Sequence, residues 1–202
     1  LLGTPLAWWL AFSRRRWKVI VEAVVALPLV LPPTVLGFYL LLAMAPQGFL
    51  GELWMSITGN PLAFTFSGLV IASILYSLPF VIQPLQGAFQ SMGRSLLEAS
   101  WTLGSPPWRT FFNTVLPNCR HGFLTAAVLS FAHTLGEFGV VLMVGGNIPG
   151  ETRVVSIAIY DHVESMAYGE AHRLSLLLLA FSFVMLLMVY WQNRHWKLAS
   201  EG

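Results

Sequence analysis

The stretch LLEASWTLGSPPWRTFFNTVLP, residues 96–117, separates two groups of long apolar runs in this chain. Its composition differs from theirs because it combines a carboxylate, a glycine, two adjacent prolines and an arginine: Glu98, Gly104, Pro106, Pro107 and Arg109. Whether this stretch lies in a membrane, on its surface or in water decides how the apolar runs around it must fold.

The composition is that of an integral membrane protein. Of the 202 residues, 56% are hydrophobic and only 10% are charged, whereas about a quarter of the residues in a soluble domain are charged. At about 20 apolar residues per helix, the length allows roughly four to six spanning helices, and we expect one polytopic domain over residues 1–202. The net charge of +2 indicates no nucleic-acid surface. The single cysteine, Cys119, excludes an intramolecular disulfide.

Five apolar runs predict an all-α bundle of about five spanning helices. The run at residues 1–12 is too short to cross a membrane, so we expect it to be the second half of a first helix whose beginning lies outside this chain. The other runs cover residues 19–45, 62–82, 123–144 and 174–191. They are continuously apolar rather than alternating, which indicates helices and not a β-barrel. Three prolines predict a kink in the second helix: Pro28, Pro32 and Pro33.

The positive charges predict the orientation of these helices. If the segment after the first run is cytoplasmic, only Arg153 and Arg173 lie on the outer side. The other nine basic residues then share the cytoplasmic side, as the positive-inside rule requires: Arg14, Arg15, Arg16, Lys18, Arg94, Arg109, Arg120, Arg194 and Lys197. The quoted stretch therefore belongs to a cytoplasmic loop at about residues 84–122, and an outer loop covers about residues 145–171.

Local signals in the quoted stretch predict two short helices joined by a turn. Gly104 suits the left-handed position that follows a helix, Ser105 is a suitable N-cap, and Pro106 suits a first helical turn. Leu116 and Pro117 are expected to stop or kink the second helix. Apolar side chains recur along it at helical spacing: Trp108, Phe111, Phe112 and Val115. An apolar surface outside the membrane indicates either a partner site or a hairpin lying on lipid headgroups.

The spacing of these residues resembles the cytoplasmic coupling loop of permease subunits in ABC importers. That pattern reads Glu-Ala-Ala, three residues, Gly, nine residues, Ile, one residue, Leu-Pro. All of its intervals are present here, at the following positions: Glu98, Ala99, Ser100, Gly104, Thr114, Leu116 and Pro117. Only Ser100 and Thr114 depart from the pattern, in place of an alanine and the isoleucine.

The resemblance implies that the loop docks on a separate ATPase subunit and transmits its motion to the membrane helices. Glu98 would form a polar contact or cap in the coupling helix, and Ala99 would allow close approach. Gly104 would form the turn, while Leu116 and Pro117 would anchor the return to the membrane. The chain has no G-x-x-x-x-G-K-[ST] phosphate loop. ATP and magnesium are therefore expected on the partner chain, and no catalytic residue, cofactor or metal site is expected in this one.

A second resemblance concerns the transported substrate. TLGEFGVVLMVGGNIPGETRVVSIAIYDHVE at residues 134–164 and PLVLPPTVLGFYLLL at residues 28–42 are similar to the permeases of oxyanion importers. Sulfate and thiosulfate permeases share the Gly-Glu-(Phe/Tyr)-Gly and Gly-Asn-Ile-Pro elements. Phe138 and the full GNIPGETR favour molybdate or tungstate, with sulfate or thiosulfate as the alternative.

The same resemblance implies an assembly and a location. A homodimer of this chain would bind two ATPase subunits and a periplasmic or lipid-anchored oxyanion-binding protein. The location would be the cytoplasmic (inner) membrane of a bacterium or archaeon, with several passes through its lipids. An ATP-independent carrier or channel and an intramembrane enzyme are the competing classes. The nearest match to a catalytic pair is His133 with Glu137, and no third group follows.

Candidates for the transport pathway come from polar residues in the apolar runs. Four of them are spaced as one face of a helix: Ser130, His133, Thr134 and Glu137. Such groups in a membrane normally face the protein interior, and Ser130 and Thr134 are candidates for the pathway. Glu137 would repel a dianion. For Glu137 a structural role is favoured over substrate contact, by capping loop amides or by pairing with His133 or Arg153.

Two further sets of residues are candidates for packing or gating. Ser73, Tyr76 and Ser77 form a polar patch in the third run, for which hydrogen bonding between helices is the expected role. Gly145 and Asn147 follow the fourth run on the outer side, where a turn with close backbone approach is expected. A gate, or a contact with the binding protein, is the alternative for these two positions.

Overall fold

The computed structural model describes residues 2–200, apart from the side chains of Val189 and of residues 192–200. This range is all-α and contains no β-strand, as the sequence predicts. Its α-helices are α1 (Gly3–Phe12), α2 (Lys18–Val30), α3 (Pro33–Met44), α4 (Phe49–Thr58), α5 (Phe66–Met92), α6 (Ser95–Thr102), α7 (Pro107–Thr110), α8 (Leu116–Asn118), α9 (Arg120–Leu135), α10 (Gly139–Gly145), α11 (Val155–Glu164) and α12 (Tyr168–Ser200). A π-helical turn, Phe111–Val115, joins α7 to α8. Arg194 and Lys197, used in the charge argument, lie outside the described side chains.

Within the described part of the chain, two helices are long and apolar enough to cross a membrane by themselves. They are α5, with 27 residues, and the part of α12 from Tyr168 to Met188, with 21 residues. Two bent pairs, α2 with α3 and α9 with α10, raise the number to four if each pair is one span. With 10 residues, α1 is shorter than a span. All five apolar runs are therefore helical, but runs 19–45 and 123–144 are each divided between two helices.

Proline chemistry determines the break in run 19–45. A residue before a proline is disfavoured in a helix, and Leu31 accordingly has extended angles, φ −72° and ψ 140°. Pro33 then begins α3, where its missing N–H group leaves no bond unmade. Pro28 lies inside α2 without ending it. The expected kink is thus a complete break after Val30.

Glycines let α3 and α10 pack closely. A β-carbon on Gly139 would lie 2.8 Å from Cβ of Pro33, and one on Gly37 would lie 3.1 Å from Cα of Val140. Both distances are too short for an unstrained side chain, so only glycine permits this approach. Run 123–144 breaks at residues 136–138, immediately before the glycine that makes one of these contacts.

Several boundaries differ from the sequence-based prediction. Residues 46–58, which lie between two of the predicted apolar runs, contain α4, and this helix is followed by the left-handed Gly59 with φ +73°. Helix α5 begins at Phe66 rather than Leu62 and continues past Ile82 to Met92. The predicted loops at 84–122 and 145–171 are consequently largely helical. Hydropathy alone missed these segments because helices outside the hydrocarbon region need no continuous apolar run.

Two compact units make up the chain, and each is built from two segments. The first contains residues 1–31 and 75–133. Side chains from α1, α5, α6 and α9 form its core, together with residues near the π-helical turn: Ala7, Leu10, Ile82, Leu85, Phe89, Leu97, Val115, Cys119 and Ala126. Gly122 of α9 lies so close to α5 that a β-carbon there would be 2.4 Å from Cβ of Ala88.

The second unit contains residues 32–74 and the chain from residue 134 onward. Leu69, Val141 and Ile157 form a buried cluster that joins α5, α10 and α11. In α12, only 6% of the membrane-length window is buried within the chain, so lipid or another chain must cover this helix. The expected single domain over residues 1–202 is not decided by this division and stays a prediction.

The contact between α5 and α9 generates a stability prediction. Gly122→Ala would place a methyl group against Ala88 and 3.2 Å from the carbonyl oxygen of Pro84. Because two backbones must separate to admit it, we expect the free energy of unfolding to fall by about 1–3 kcal/mol. Thermal unfolding in detergent measures this change.

Gly87→Ala is the matched control for Gly122→Ala. Gly87 also lies in a helix of the first unit, but it is exposed and a β-carbon there would meet nothing within 4 Å. Alanine favours a helix over glycine by about 0.5–1 kcal/mol, so this variant should melt at the same temperature or slightly higher. Equal melting of the two variants would contradict the close contact at Gly122.

Candidate functional site

The helices from Ser95 to Asn118 form the cytoplasmic helix pair, named for the side on which the charges place it. Its first helix, α6, ends at Leu103, and Gly104 follows with φ +74°. The Gly104 amide donates to the carbonyl oxygen of Trp101 at 2.9 Å. The left-handed turn expected at Gly104 is therefore confirmed, and it reverses the chain between the two helices.

The second helix of the pair begins differently from the prediction. Pro106 is the N-cap, with φ −68° and ψ 155°, and Pro107 is the first helical residue. Ser105 does not cap this helix, so that expectation was wrong. The reason is the second proline: a residue before proline is held in the extended region. Pro106 therefore cannot enter the helix, and the start moves to Pro107.

The end of the pair also differs from the prediction. Leu116 and Pro117 do not stop the helix, because they lie in α8 directly after the π-helical turn. Pro117 takes an early position in α8, where a missing N–H group is tolerated. The interruption comes at Cys119, with φ −102° and ψ 9°, just before α9 begins. Helix α9 thus follows the helix pair almost without interruption.

An aromatic face covers the outside of the cytoplasmic helix pair. It consists of Trp101, Trp108 and Phe112, which are 54%, 66% and 57% exposed. The opposite side is anchored, because Leu97 and Val115 are buried in the core of the first unit. This exposed apolar surface is the one that the sequence predicts outside the membrane, and surfaces of this kind mark interaction sites.

A hydrogen bond fixes the two helices of the pair to each other. The hydroxyl groups of Ser100 and Thr110 lie 3.0 Å apart, and Thr110 is buried. Ser100, which departs from the coupling pattern, thus supplies a bond that an alanine could not make. Glu98 and Ala99 are exposed beside it. The N-cap residue of α6 is Arg94, and no side chain caps this helix. Glu98 is therefore not a cap. Its exposed carboxylate is left for a polar contact.

A groove adjoins the aromatic face within the first unit. It encloses about 630 Å³ and is lined by α1, α6, α7, the π-helical turn and α9. Arg94 closes a smaller neighbouring pocket of about 240 Å³. Its guanidinium donates to the carbonyl oxygen of Phe12 and lies 5.6 Å from the ring of that residue. This contact ties the end of α1 to the start of α6.

Glu137 lies in the second unit, in the break between α9 and α10. Its Oε2 accepts a hydrogen bond from the Ser73 hydroxyl at 2.8 Å, and its carbonyl oxygen accepts one from Ser156 at 2.6 Å. The residue is only 4% exposed. It therefore joins α5 and α11 to the break, and Ser73 supplies the hydrogen bond between helices expected from its polar patch.

Two expectations for Glu137 were wrong. Because α9 ends at Leu135, Glu137 does not share a helical face with Ser130 and Thr134. It also does not pair with Arg153, which binds other groups. Ser130 is half-buried and Thr134 is exposed near the end of α9, so their assignment to a pathway stays a prediction.

The segment after α10 is held by close contacts. A β-carbon on Gly145 would lie 2.8 Å from Cδ2 of Leu69, which confirms the close approach expected there. Thr152 is fully buried, and its hydroxyl donates to the carbonyl oxygen of Gly145 at 2.6 Å and accepts from the Ile148 amide at 2.9 Å. The turn is therefore closed by one threonine.

Asn147, Arg153 and Asp161 form a triad that the sequence did not predict, called the outer triad after its predicted side. The Asn147 amide donates to both carboxylate oxygens of Asp161, at 3.0 and 3.2 Å. Arg153 donates to the Asn147 side-chain oxygen at 2.9 Å and lies 3.3 Å from Asp161. Asn147 has φ +56°, a conformation that asparagine adopts more readily than most residues. An asparagine directly after two glycines was the available signal.

Comparison with known proteins places the chain in a family. The sequence model of one family, described as "Binding-protein-dependent transport system inner membrane component", matches residues 3–198. The chain belongs to this family. Its apolar helices are thus those of a transport-system membrane component, and the cytoplasmic helix pair lies within the matched range.

Individual relatives of this membrane component include two kinds of permease. The molybdenum transport system permease protein ModB of Azotobacter vinelandii is 57% identical over 194 residues, covering 96% of this chain and 86% of the relative. The protein of the same name from Escherichia coli (strain K12) is 37% identical, over 95% of this chain and 84% of the relative. A probable sulfate transport system permease protein cysT from Zygnema circumcarinatum is 36% identical, over 93% of this chain and 65% of the relative.

The Glu137 contact generates a second stability prediction. Ser73→Ala removes the hydroxyl that donates to Oε2, and Oε1 already lacks a hydrogen-bond partner among the described residues. A buried carboxyl group would then lose its remaining side-chain partner, which should lower the free energy of unfolding by about 1–3 kcal/mol. Ser56→Ala is the control, since this exposed hydroxyl bonds only within its own helix. If both variants melt at the same temperature in detergent, the hydrogen bond from Ser73 does not stabilise the fold.

The outer triad generates a prediction about local stability. Arg153→Ala removes the donor to Asn147 and the ion pair with Asp161, so the backbone amides of residues 147–153 should exchange hydrogen faster. Arg173→Ala is the control because it breaks an exposed ion pair with Glu170 on the same predicted side. Hydrogen–deuterium exchange of the two variants measures the difference. Unchanged exchange in Arg153→Ala would contradict the triad's role in holding the segment.

Proposed function

We propose that this chain is the membrane-spanning permease subunit of an ATP-driven importer for molybdate or tungstate. The observation that carries the proposal is the cytoplasmic helix pair, which exposes an aromatic face beside Glu98 and has the coupling-loop spacing. In this role the chain is not an enzyme. ATP and magnesium would be bound by a separate ATPase subunit, and no cofactor would be bound by this chain.

The geometry of the helix pair is suited to transmitting motion. Leu97 and Val115 anchor it in the core of the first unit, whereas Trp101, Trp108 and Phe112 project away from that core. A partner that packs against those rings would bury large apolar side chains, and these dominate binding energy at interfaces. Ser100 and Thr110 hold the two helices together. A displacement of the aromatic face would therefore move the helix pair as one piece, together with α9, which follows it almost without interruption.

Two copies of the chain and two ATPase subunits complete the proposed assembly. Four spans at most are identified in the described range, too few to enclose a pathway that opens alternately to both sides of a membrane. The sparsely buried α12 offers one surface for a second copy or for lipid. An oxyanion-binding protein, periplasmic or lipid-anchored, would deliver the substrate to the outer side. The proposed location is the cytoplasmic (inner) membrane of a bacterium or archaeon.

The substrate is proposed from sequence similarity. The 57% identical relative is named as a molybdenum transport permease, and residues 146–153 are the GNIPGETR segment that favours molybdate or tungstate. Sulfate is the second candidate. A probable sulfate permease is 36% identical to this chain, and the molybdenum permease of Escherichia coli is 37% identical. Identity at this level does not separate the two substrates. Molybdate, tungstate and sulfate are all tetrahedral dianions, so one pathway chemistry serves the three.

The coupling role is tested by Gly104→Pro. Proline cannot adopt φ +74° and lacks the amide that bonds Trp101, so the turn between the two helices should be lost. We expect normal membrane insertion but no ATP-dependent molybdate uptake by the variant, reconstituted in vesicles with its ATPase and binding protein. Added sulfate or tungstate in excess shows which dianion competes.

Gly59→Pro is the matched control for this experiment. Gly59 also follows a helix with φ +73°, bonds the carbonyl oxygen of Met55 at 2.9 Å, and has open space around it. It lies on the predicted outer side, so this variant should retain uptake. Normal uptake by Gly104→Pro would overturn the coupling assignment, and equal loss in both variants would show a general folding defect instead.

A further inference from the structure

A stripe of residues runs along the second half of α5 and has no role in the proposed coupling. The α5 stripe consists of Tyr76, Phe80, Gln83, Gly87 and Gln90. Their intervals of four, three, four and three residues place them on one face of the helix. All five lie in the first unit, so the face belongs to one compact body.

The exposure of the α5 stripe increases toward its cytoplasmic end. Tyr76 is buried and Phe80 is half-buried, whereas Gln83, Gly87 and Gln90 are exposed. The buried end is covered by His133 of α9, whose ring lies 4.4 Å from the ring of Tyr76 and 4.1 Å from that of Phe80. The side chains of Gln83 and Gln90 are therefore exposed, whereas the same face of α5 is packed at Tyr76.

His133 adds an unsatisfied polar atom at the buried end of the stripe. Its Nε2 is buried and has no hydrogen-bond partner among the residues that the structure describes. Buried polar atoms are normally paired, and an exception calls for an explanation. A ligand that reaches this end of the stripe would supply one.

Two neighbouring helices contact α5 on either side of the stripe. On one side, Gly122 of α9 contacts Ala88 and Pro84. On the other side, Gln86 donates to Glu22 of α2 at 2.6 Å. Successive residues of a helix are about 100° apart, so these contacts lie to the left and right of the stripe. The exposed residues Gln83, Gly87 and Gln90 are left facing the gap between α2 and α9.

Gly87 has no structural reason to be glycine. A β-carbon there would meet nothing within 4 Å, and its φ is not in the left-handed region. Glycine inside a helix costs about 0.5–1 kcal/mol relative to alanine. Open space above the helix, kept for something that passes or binds there, accounts for this residue.

The chemistry of the α5 stripe suits a tetrahedral dianion. The side chains of Gln83 and Gln90 are neutral amides whose NH₂ groups donate hydrogen bonds. The stripe itself contains no carboxylate, and the carboxylate of Glu22 on α2 is compensated by Lys18 at 3.4 Å as well as by Gln86. A conducting pathway must bind its ion weakly enough to release it. Neutral donors meet this requirement because they attract an anion less tightly than cations would.

We propose that the α5 stripe is the inner part of the anion pathway, where the side-chain amides of Gln83 and Gln90 bind a tetrahedral oxyanion as it passes Gly87. The Nε2 atom of His133, in the tautomer that carries a proton there, donates at the deep end. This inference rests on the proposed transport function but concerns residues that the coupling role does not use. Polar side chains of a spanning helix normally face a protein interior or water rather than lipid, which agrees with this placement.

The first test fills the space above Gly87. Gly87→Leu should reduce molybdate uptake by about tenfold or more, equivalent to about 1.4 kcal/mol of barrier, in vesicles containing the complete complex. Gly169→Leu is the matched control, because a β-carbon on Gly169 also meets nothing within 4 Å, but this residue lies in the first turn of α12. Uptake by Gly169→Leu should stay within about twofold of the unmodified protein.

The second test changes the charge of the donors without changing their shape. Gln83→Glu and Gln90→Glu place a carboxylate where the dianion would bind, so each should lower the rate of uptake and its apparent affinity for molybdate. Gln47→Glu is the control, since Gln47 is exposed on the predicted outer side between α3 and α4. Gln83→Asn retains an amide and should restore part of the uptake.

Cysteine labelling separates the pathway from other causes of exposure. The only cysteine, Cys119, is buried, and burial raises the pKa of its thiol, so the unmodified protein should react slowly. Gln83→Cys and Gln90→Cys should react with a charged, water-soluble thiol reagent, and molybdate should slow both reactions during ATP-driven transport. Labelling that is insensitive to molybdate indicates a solvated helix end, and absent labelling indicates contact with lipid or a second copy; either result overturns the proposal.

Failure of the stripe and failure of the transport function give different results. If the unmodified complex imports molybdate and Gly87→Leu imports it equally well, the stripe is not the pathway and the proposed function stands. If the unmodified complex imports sulfate instead, the same variants tested with sulfate decide the role of the stripe, while the proposed substrate is wrong. A complex that imports none of these anions overturns both.

Discussion

The requirement that backbone polar groups be bonded inside a membrane governs this structure. It makes every apolar run helical, and it demands partners wherever a helix stops. At the break between α9 and α10, the carbonyl oxygen of Glu137 receives a hydrogen bond from Ser156, while its side chain receives one from Ser73. At the other end of α10, Thr152 bonds the carbonyl oxygen of Gly145. The polar residues of these regions therefore hold the breaks of the helices together.

The cytoplasmic helix pair shows the opposite solution, in which apolar groups are left uncovered. Its inner side chains, such as Leu97, join the core, and Ser100 ties the two helices together. Its aromatic rings project outward, as expected for a subunit that meets a partner there. The proposed coupling and the proposed pathway also lie in one compact unit, because α9 follows the helix pair and flanks the α5 stripe. A movement of the pair would thus reach the α5 stripe through a single helix.

Much of this could be predicted from local sequence. The left-handed turn at Gly104 follows from the chemistry of glycine after a helix, and the all-α fold follows from hydropathy. Other expectations failed where two local preferences competed. Ser105 is a good N-cap, yet the adjacent prolines moved the start of the helix to Pro107. Helical spacing placed Glu137 on a face of α9, but the helix ended first. Helix α4 was missed because its apolar pattern is short.

The sequence by itself determined the membrane class, the helical runs and the coupling pattern around Glu98, because these depend on composition and on intervals of a few residues. Only the tertiary structure decided which residues meet across long intervals. The contact of Ser73 with Glu137, the triad around Arg153, and the contact of Gly122 with Ala88 all join separate segments of the chain. No periodicity records such contacts, since they arise from how closely helices approach and which side chains that packing leaves room for.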